Sequence, residues 1–350
     1  MLSAGDARAA AKPPEVTGLR CVERCGGARE AAAGATVRLM GHRLAASAEV
    51  RFSAAATELA AAPVTLTKRA VEVVVPDGAQ TGRPRVVDRT GRVSTAPPLR
   101  IVPSDALLAP GSLDLTRASA RPGTGFFDAR RELRLRYRYA AYGPLDVRVA
   151  LVRHGKVVRS WVQQDRAPFA AHSITWNGLA ESGAPGRKGR YRFRIGPVDG
   201  DARSAARFRF YDHRFPVRGG HSYGDRFGVP RSGGRTHEGQ DLWAECGTRL
   251  EAARGGTVQF EGYSGSLYGH YLVIDGRQTE RDYMYAHLIR RPPVRRGERV
   301  HTGEGIGAVG RSGNARGEGC QLHFELWPSG WHHGRPQDPL PELRRWDGWS

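Results

Sequence analysis

Cys320-Gln321-Leu322-His323-Phe324-Glu325-Leu326-Trp327 alternates polar and apolar side chains from Gln321 to Leu326. Successive side chains of a strand point to opposite faces. Gln321, His323 and Glu325 therefore share one face, and Leu322, Phe324 and Leu326 enter a core. The polar face is where a ligand belongs; Cys320 falls on the opposite side and is not expected to bind a metal. Upstream, Tyr283-Met284-Tyr285-Ala286-His287-Leu288 reads as a second strand. Its period predicts Tyr283, Tyr285 and His287 on one face and Met284, Ala286 and Leu288 in the core. A third piece, His237-Glu238-Gly239-Gln240-Asp241, follows Gly233-Gly234. The glycines argue against a helix and for an extended or turning segment. Its imidazole and carboxylate are both good zinc ligands, although a lone His-x-x-x-Asp occurs often by chance.

The remaining sequence is also β-patterned. Thr36–Gly41, Ala48–Phe52 and Val71–Pro76 read as short strands between turns. So do Leu133–Tyr137, Val147–Leu151, Ile174–Gly178 and Gly189–Ile195. Such spacing suggests β-sandwiches. Around Phe215–Gly220 the composition shifts toward Gly, His, Tyr and Trp, which places the last boundary near residue 213. The chain is expected to be all-β, with helix only in short pieces. It divides into a tail (1–13), two β-sandwiches (14–102 and 103–212) and a compact antiparallel sheet whose long loops carry the ligands (213–345). The sandwiches show no grouped His, Cys or carboxylates and read as spacers or binding modules.

Composition narrows the partners. No run of 18 apolar residues exists, so no transmembrane segment is expected. The net charge is +19, which suits either a plain basic surface or a polyanionic partner. Arginine is scattered through every region and forms no short block, so specific nucleic-acid binding is not expected. The even set Cys21, Cys25, Cys246 and Cys320 suits an oxidising compartment. A short-range Cys21–Cys25 disulfide is expected. Met1–Pro14 has no apolar segment of a signal peptide, although Ala7-Arg8-Ala9-Ala10 looks like the cleavage site that follows one. Nothing in the sequence demands more than a monomer.

Longer stretches carry a family resemblance. They include His221–Gly228, Gly234–Asp241, Ala252–Val258, Tyr268–Ile274, Tyr285–Leu288, Gly303–Gly310, Leu322–Glu325 and Asp338–Leu340. In order and spacing this text resembles the lysostaphin/LytM-type (β-lytic) zinc metallopeptidases, which are peptidoglycan endopeptidases. Residues 14–102 resemble IPT/TIG modules, and residues 103–212 resemble the Ig-like module of flagellar-hook-cap type. The peptidase resemblance implies an antiparallel β-sheet metallopeptidase domain and one zinc ion held by His237, Asp241 and His323. Two imidazoles and a carboxylate leave a fourth position for water, as catalytic zinc requires. It further implies that His287 is a general base or steadies the tetrahedral intermediate. It implies peptidoglycan as the partner, a secreted, wall or periplasmic location, and association of the basic surface with acidic wall polymers.

One position departs from the pattern. The family has His-x-His where this chain has Gln321-Leu322-His323. Gln321 takes the place of a second catalytic histidine; it donates a hydrogen bond but carries no proton at neutral pH. Two readings stand: an active endopeptidase with His287 as its base, and an impaired zinc-holding domain that binds the wall or regulates another hydrolase. Cys246 and Cys320 are expected to pair, tying two ligand-bearing segments together. Glu325 is a candidate support for the zinc site. Tyr283 and Tyr285 are candidates for substrate contact or for covering the sheet. His221 and His270 are candidates for the cleft wall. His301, His332 and His333 read as solvated, and Trp327 and Trp331 as core rather than groove wall.

Overall fold

The computed structural model describes residues 12–350, so the Ala7–Ala10 segment and nearly all of the expected tail lie outside the described residues. The described chain is β-rich, with a single eight-residue α-helix, Leu340–Asp347, and short 3-10 turns. No helix among the described residues is long and apolar enough to cross a membrane.

The first unit contains two sheets. One runs in the order Glu15–Gly27, Glu30–His42, Ala70–Val74, Pro63–Leu66, with Arg100–Ile101 joining Glu30–His42 in parallel. The other runs Leu59–Ala61, Ser47–Phe52, Arg85–Asp88, Val93–Thr95. Leu39, Val71 and Val73 from the first sheet pack with Val50, Phe52 and Val86 from the second, so the alternating apolar positions meet in one core. The expected Cys21–Cys25 disulfide is present in this core.

The second unit repeats the plan. A three-stranded sheet (Asp114–Arg121, Leu133–Ala140, His172–Trp176) faces a five-stranded one (Thr124–Phe126, Arg203–Tyr211, Gly189–Pro197, Leu145–Arg153, Lys156–Arg166). Trp176, Tyr191, Phe193, Phe208 and Phe210 fill the space between them. Trp176 lies 4.6 Å from Phe210, ring centroid to centroid.

The third unit is a seven-stranded antiparallel sheet. Its order is His221–Tyr223, Gln240–Ala244, Gln321–Trp327, Asp282–Leu288, Gly269–Gly276, Gly256–Ser264, Arg299–Val300. The two central strands are buried at every residue, because both faces are covered. Leu250 and Ile306 from a two-stranded sheet, with Leu343 and Trp346 from the helix, cover the core face. Fixing those apolar side chains there contributes about 1.5–3 kcal/mol each.

The second and third units are joined by packing and charge. Arg277 and Arg299 both donate to Asp128 Oδ1, a nearly inaccessible carboxylate of the second unit. Arg254 sits 4.6 Å over the Phe127 ring, and Trp349 stacks on Tyr211 at 4.4 Å.

Candidate metal centre and cleft

Three segments deliver three donor atoms to one point. Asp241 and His323 are direct cross-strand partners, so their side chains leave the same face of the sheet. His237 reaches that point from the turn before Gln240–Ala244. The turn passes close over the sheet: a Cβ at Gly239 would lie 2.5 Å from the Phe324 carbonyl oxygen and 2.8 Å from His323 Cε1. Only glycine fits there without displacing a ligand.

His237 Nε2 lies 2.9 Å from His323 Nδ1 and 3.2 Å from Asp241 Oδ1, and His323 Nδ1 lies 2.9 Å from Asp241 Oδ1. The other ring nitrogens are already committed. His237 Nδ1 donates to the Arg226 carbonyl at 2.8 Å, and His323 Nε2 donates to Glu325 Oε1 at 3.0 Å. An imidazole that binds a metal in this arrangement would turn its second nitrogen's lone pair toward Asp241 Oδ1. Three buried acceptors facing one another repel unless a positive charge stands among them. The same demand appears in the titration of these groups. Burial would lower His323, but its hydrogen bonds to Asp241 and Glu325 outweigh that and raise it to about 9. Burial would raise Asp241, but the histidine hydrogen bonds hold it below the ordinary carboxylate range. A tetrahedral cation with nitrogen and oxygen ligands answers the demand, and the donor set fits a catalytic metal site.

Outer partners hold the ligands in place. Glu325 is almost wholly buried and accepts from His323 Nε2 and, at 2.7 Å, from Trp327 Nε1. Arg231 reaches Asp241 Oδ2 at 3.4 Å and Asp225 Oδ2 at 2.7 Å. Such partners fix tautomer and orientation.

His287 enters the same cleft by breaking the strand period. Ala286 pairs with His323 and Met284 with Glu325, so Met284 and Ala286 share the face of His323 and Glu325. Tyr283 and Tyr285 point into the main core with Leu288. This reverses the expected facing of the two tyrosines and of Met284 and Ala286, and it excludes the tyrosines from substrate contact. By simple alternation His287 would also face the core. Between the partners His270↔Leu288 and Leu272↔Tyr285 the Asp282–Leu288 strand carries one extra residue, and His287 has φ 61°. That bulge re-aims the imidazole into the cleft. His287 Nδ1 donates to the Ser312 carbonyl at 2.9 Å, leaving Nε2 as an acceptor. Burial, with the charge of His323 adding to it, lowers His287 to about 4, so it is neutral at pH 7.

The cleft has a volume of about 560 Å³, and its wall includes Tyr268, Glu238, Glu318 and Gln321 besides the four residues above. Gln321 Nε2 donates to Glu318 Oε2 at 3.1 Å, and its buried Oε1 has no hydrogen-bond partner among the described residues. Burial pushes the Tyr268 hydroxyl up, with the charges of Glu325 and Glu238 adding to it, so it remains a neutral donor.

The other expected histidines lie elsewhere. His221 packs on Phe215 and lies 3.3 Å from Asp347, and His270 packs at a tilt against Tyr263; neither lines the cleft. His301 is half-buried and contacts the Asp128 carbonyl at 3.1 Å, while His332 and His333 are exposed. Trp327 is core, and Trp331 caps a smaller aromatic cluster with Phe260, Tyr268 and Tyr271. The Cys246–Cys320 disulfide is formed. Arg226, Arg231, Tyr268, Ser312 and Glu318 were not singled out as site residues from sequence. Gly313 beside Ser312 was the available signal, since its φ of 75° brings Ser312 against Gly269.

Residues 235–339 match the profile of Peptidase family M23. The chain is 34% identical over 133 residues to a lipoprotein NlpD/LppB homolog of Pseudomonas aeruginosa, covering 37% of this chain and 42% of that protein. It is 35% identical over 116 residues to the peptidoglycan DD-endopeptidase ShyC of Vibrio cholerae, covering 33% of this chain and 25% of that protein. It is 31% identical over 150 residues to an L-Ala--D-Glu endopeptidase of Bacillus subtilis, covering 39% and 44%. The chain thus spans less than half the length of each of these relatives. This match spans the segments that carry His237, Asp241, His287 and His323, and residues 235–339 form a peptidase family M23 domain.

Proposed function

We propose that this domain is a zinc-dependent endopeptidase that cleaves peptide bonds in peptidoglycan cross-links or stem peptides, outside the cytoplasm in the wall or periplasm. The observation that carries this reading is the convergence of His237 Nε2, Asp241 Oδ1 and His323 Nδ1 in one cleft with a neutral His287. Two of the relatives bear the names of peptidoglycan or L-Ala--D-Glu endopeptidases, which supports the substrate class.

Zinc held by these three atoms supplies a Lewis acid for the scissile carbonyl and acidifies water. The chain's own residues do the rest. His287 Nε2 is an acceptor for a proton at pH 7, and the Ser312 carbonyl fixes its tautomer. Once protonated, His287 is a donor for the leaving amine. Tyr268 is a neutral hydroxyl donor on the cleft wall. Gln321 orients and donates, but cannot move a proton. The two N-terminal β units, read as IPT/TIG-like and hook-cap-type Ig-like modules, serve as spacers or wall-binding modules on a monomeric chain.

Gln321 supports a second reading, a zinc-holding but catalytically impaired domain that binds the wall or regulates another hydrolase. Mass spectrometry of peptidoglycan fragments after incubation with zinc-loaded protein, beside a His323→Ala control, separates the two. New free amines at a defined bond, absent in the control, establish the endopeptidase. Unchanged fragments with zinc bound favour the second reading.

A further inference from the structure

The solvent face of the second unit carries an arginine array with no counter-charge. In the hairpin Gly189–Pro197/Arg203–Tyr211, Arg190 pairs across with Arg209 and Arg192 with Arg207. All four side chains point to solvent, because Tyr191, Phe193, Phe208 and Phe210 take the core face. Residues directly opposite in an antiparallel pair have Cβ atoms about 4.5–5.5 Å apart, and like charges there are destabilising. Among the described residues none of the four has an ion pair or a side-chain hydrogen bond. The carboxylates of the hairpin are Asp199 and Asp201, at its turn. Arg148 on the next strand continues the array, since it pairs with Gly196 on the same hairpin.

Some surface arginines find carboxylates, among them Arg38 with Glu72, Arg51 with Glu49, Arg130 with Glu304 and Arg291 with Glu261; among the described residues Arg134, Arg136 and Arg138, with Arg121 and Arg117 opposite on the other sheet of this unit, have no ion pair either. The hairpin face is built from a repeating pattern. Along a strand, alternate residues recur about every 7 Å. The array therefore presents paired guanidinium groups at that repeat, matching a linear polymer with one anionic group per step. Guanidinium binds phosphate bidentately. No aromatic side chain stands among these arginines on the solvent face, so the face lacks the base-stacking platforms of single-stranded nucleic-acid sites. The contacts of Asp128 and Trp349 fix this unit against the peptidase domain.

We propose that the Arg190/Arg192/Arg207/Arg209 face binds a phosphodiester-linked anionic polymer of the cell wall and so holds the peptidase on wall that bears it. The choice of a wall polymer rests on the wall reading of the peptidase domain; the anion site itself rests on the array.

The test is co-sedimentation of the full chain with walls carrying poly(glycerol phosphate) and with the same walls stripped of it, at about 150 mM salt. The variant is Arg190→Gln/Arg192→Gln/Arg207→Gln/Arg209→Gln. The control removes equal charge from exposed positions of the first unit, Lys68→Gln/Arg69→Gln/Arg83→Gln/Arg89→Gln. Expected is binding to polymer-bearing walls weakened about tenfold or more in the variant and little changed in the control. The slope of log affinity against log salt for soluble polymer should fall by roughly 2 to 3. Thermal unfolding of the variant should be no lower than that of the parent, because repulsive pairs are removed. Equal losses in variant and control, or no loss in either, would overturn the proposal. So would tighter binding to DNA than to the polymer under the same conditions. Hydrolysis of stripped peptidoglycan is measured in parallel: its absence with polymer binding intact sinks the peptidase reading and leaves this one standing.

Discussion

His287 donates its Nδ1 proton to the main-chain carbonyl of Ser312 at 2.9 Å. Ser312 is held in turn, its Oγ donating to the Leu288 carbonyl at 2.7 Å and accepting from His270 N at 2.9 Å. The loop after the Gly305–Ala308 strand therefore clamps both sides of the bulge that turns His287 into the cleft. The clamp does not depend on a charged partner, which suits a base that must remain neutral.

Replacing His287 tests that role. His287→Ala should lower kcat by about 10²–10⁴-fold, the range for a lost acid–base group, with bound zinc unchanged. Steady-state cleavage of a cross-linked muropeptide, with zinc content from plasma mass spectrometry, checks it. Loss of zinc together with activity would move His287 from base to ligand.

Zinc held among the three converging donor atoms should stabilise the fold. At a free concentration about 1,000 times Kd the gain is roughly 4 kcal/mol. Thermal unfolding of chelator-treated protein should rise on adding zinc, and Asp241→Ala should show no rise. An equal rise in both proteins would place the metal elsewhere.

Glu325 touches His323 and Trp327 but stands behind the imidazole. Glu325→Gln keeps the shape and weakens the acceptor. Zinc affinity should fall by about 10–100-fold, as for other outer partners of metal-binding histidines. Competition with a chromogenic chelator measures it, and an unchanged affinity would show that packing alone orients His323.

Gln321→His places a proton carrier on the cleft wall beside His287. If Gln321 limits turnover, the substitution should raise kcat by up to about 10²-fold. The same muropeptide assay reads the change. An unchanged or lower kcat would mean that the present arrangement, with Gln321 donating to Glu318, already serves the reaction.

The Cys246–Cys320 bond closes a separation of 74 residues and joins the segment after Asp241 to the start of the His323 strand. Removing it with Cys246→Ser/Cys320→Ser should cost about 4 kcal/mol in the chain-entropy model. Urea unfolding measures the difference. A loss below about 1 kcal/mol would indicate that the sheet alone holds these segments.

The sequence by itself determined the β-rich architecture, the disulfide pairs and which His, Asp and His converge in the cleft. Regular alternation assigns a face wherever a strand is unbroken, and Gln321, His323 and Glu325 lie on such a strand. The reading of Tyr283, Tyr285 and His287 failed as a set because a bulge resets the period. Only the tertiary structure decided that the tyrosines face the core while His287 faces the cleft. Arg226 and Ser312 act through main-chain carbonyls, which any side chain would offer, so no residue pattern marks them. The arginine array was equally illegible: Arg190 and Arg209 are scattered residues in the chain and become neighbours only through the register of their hairpin.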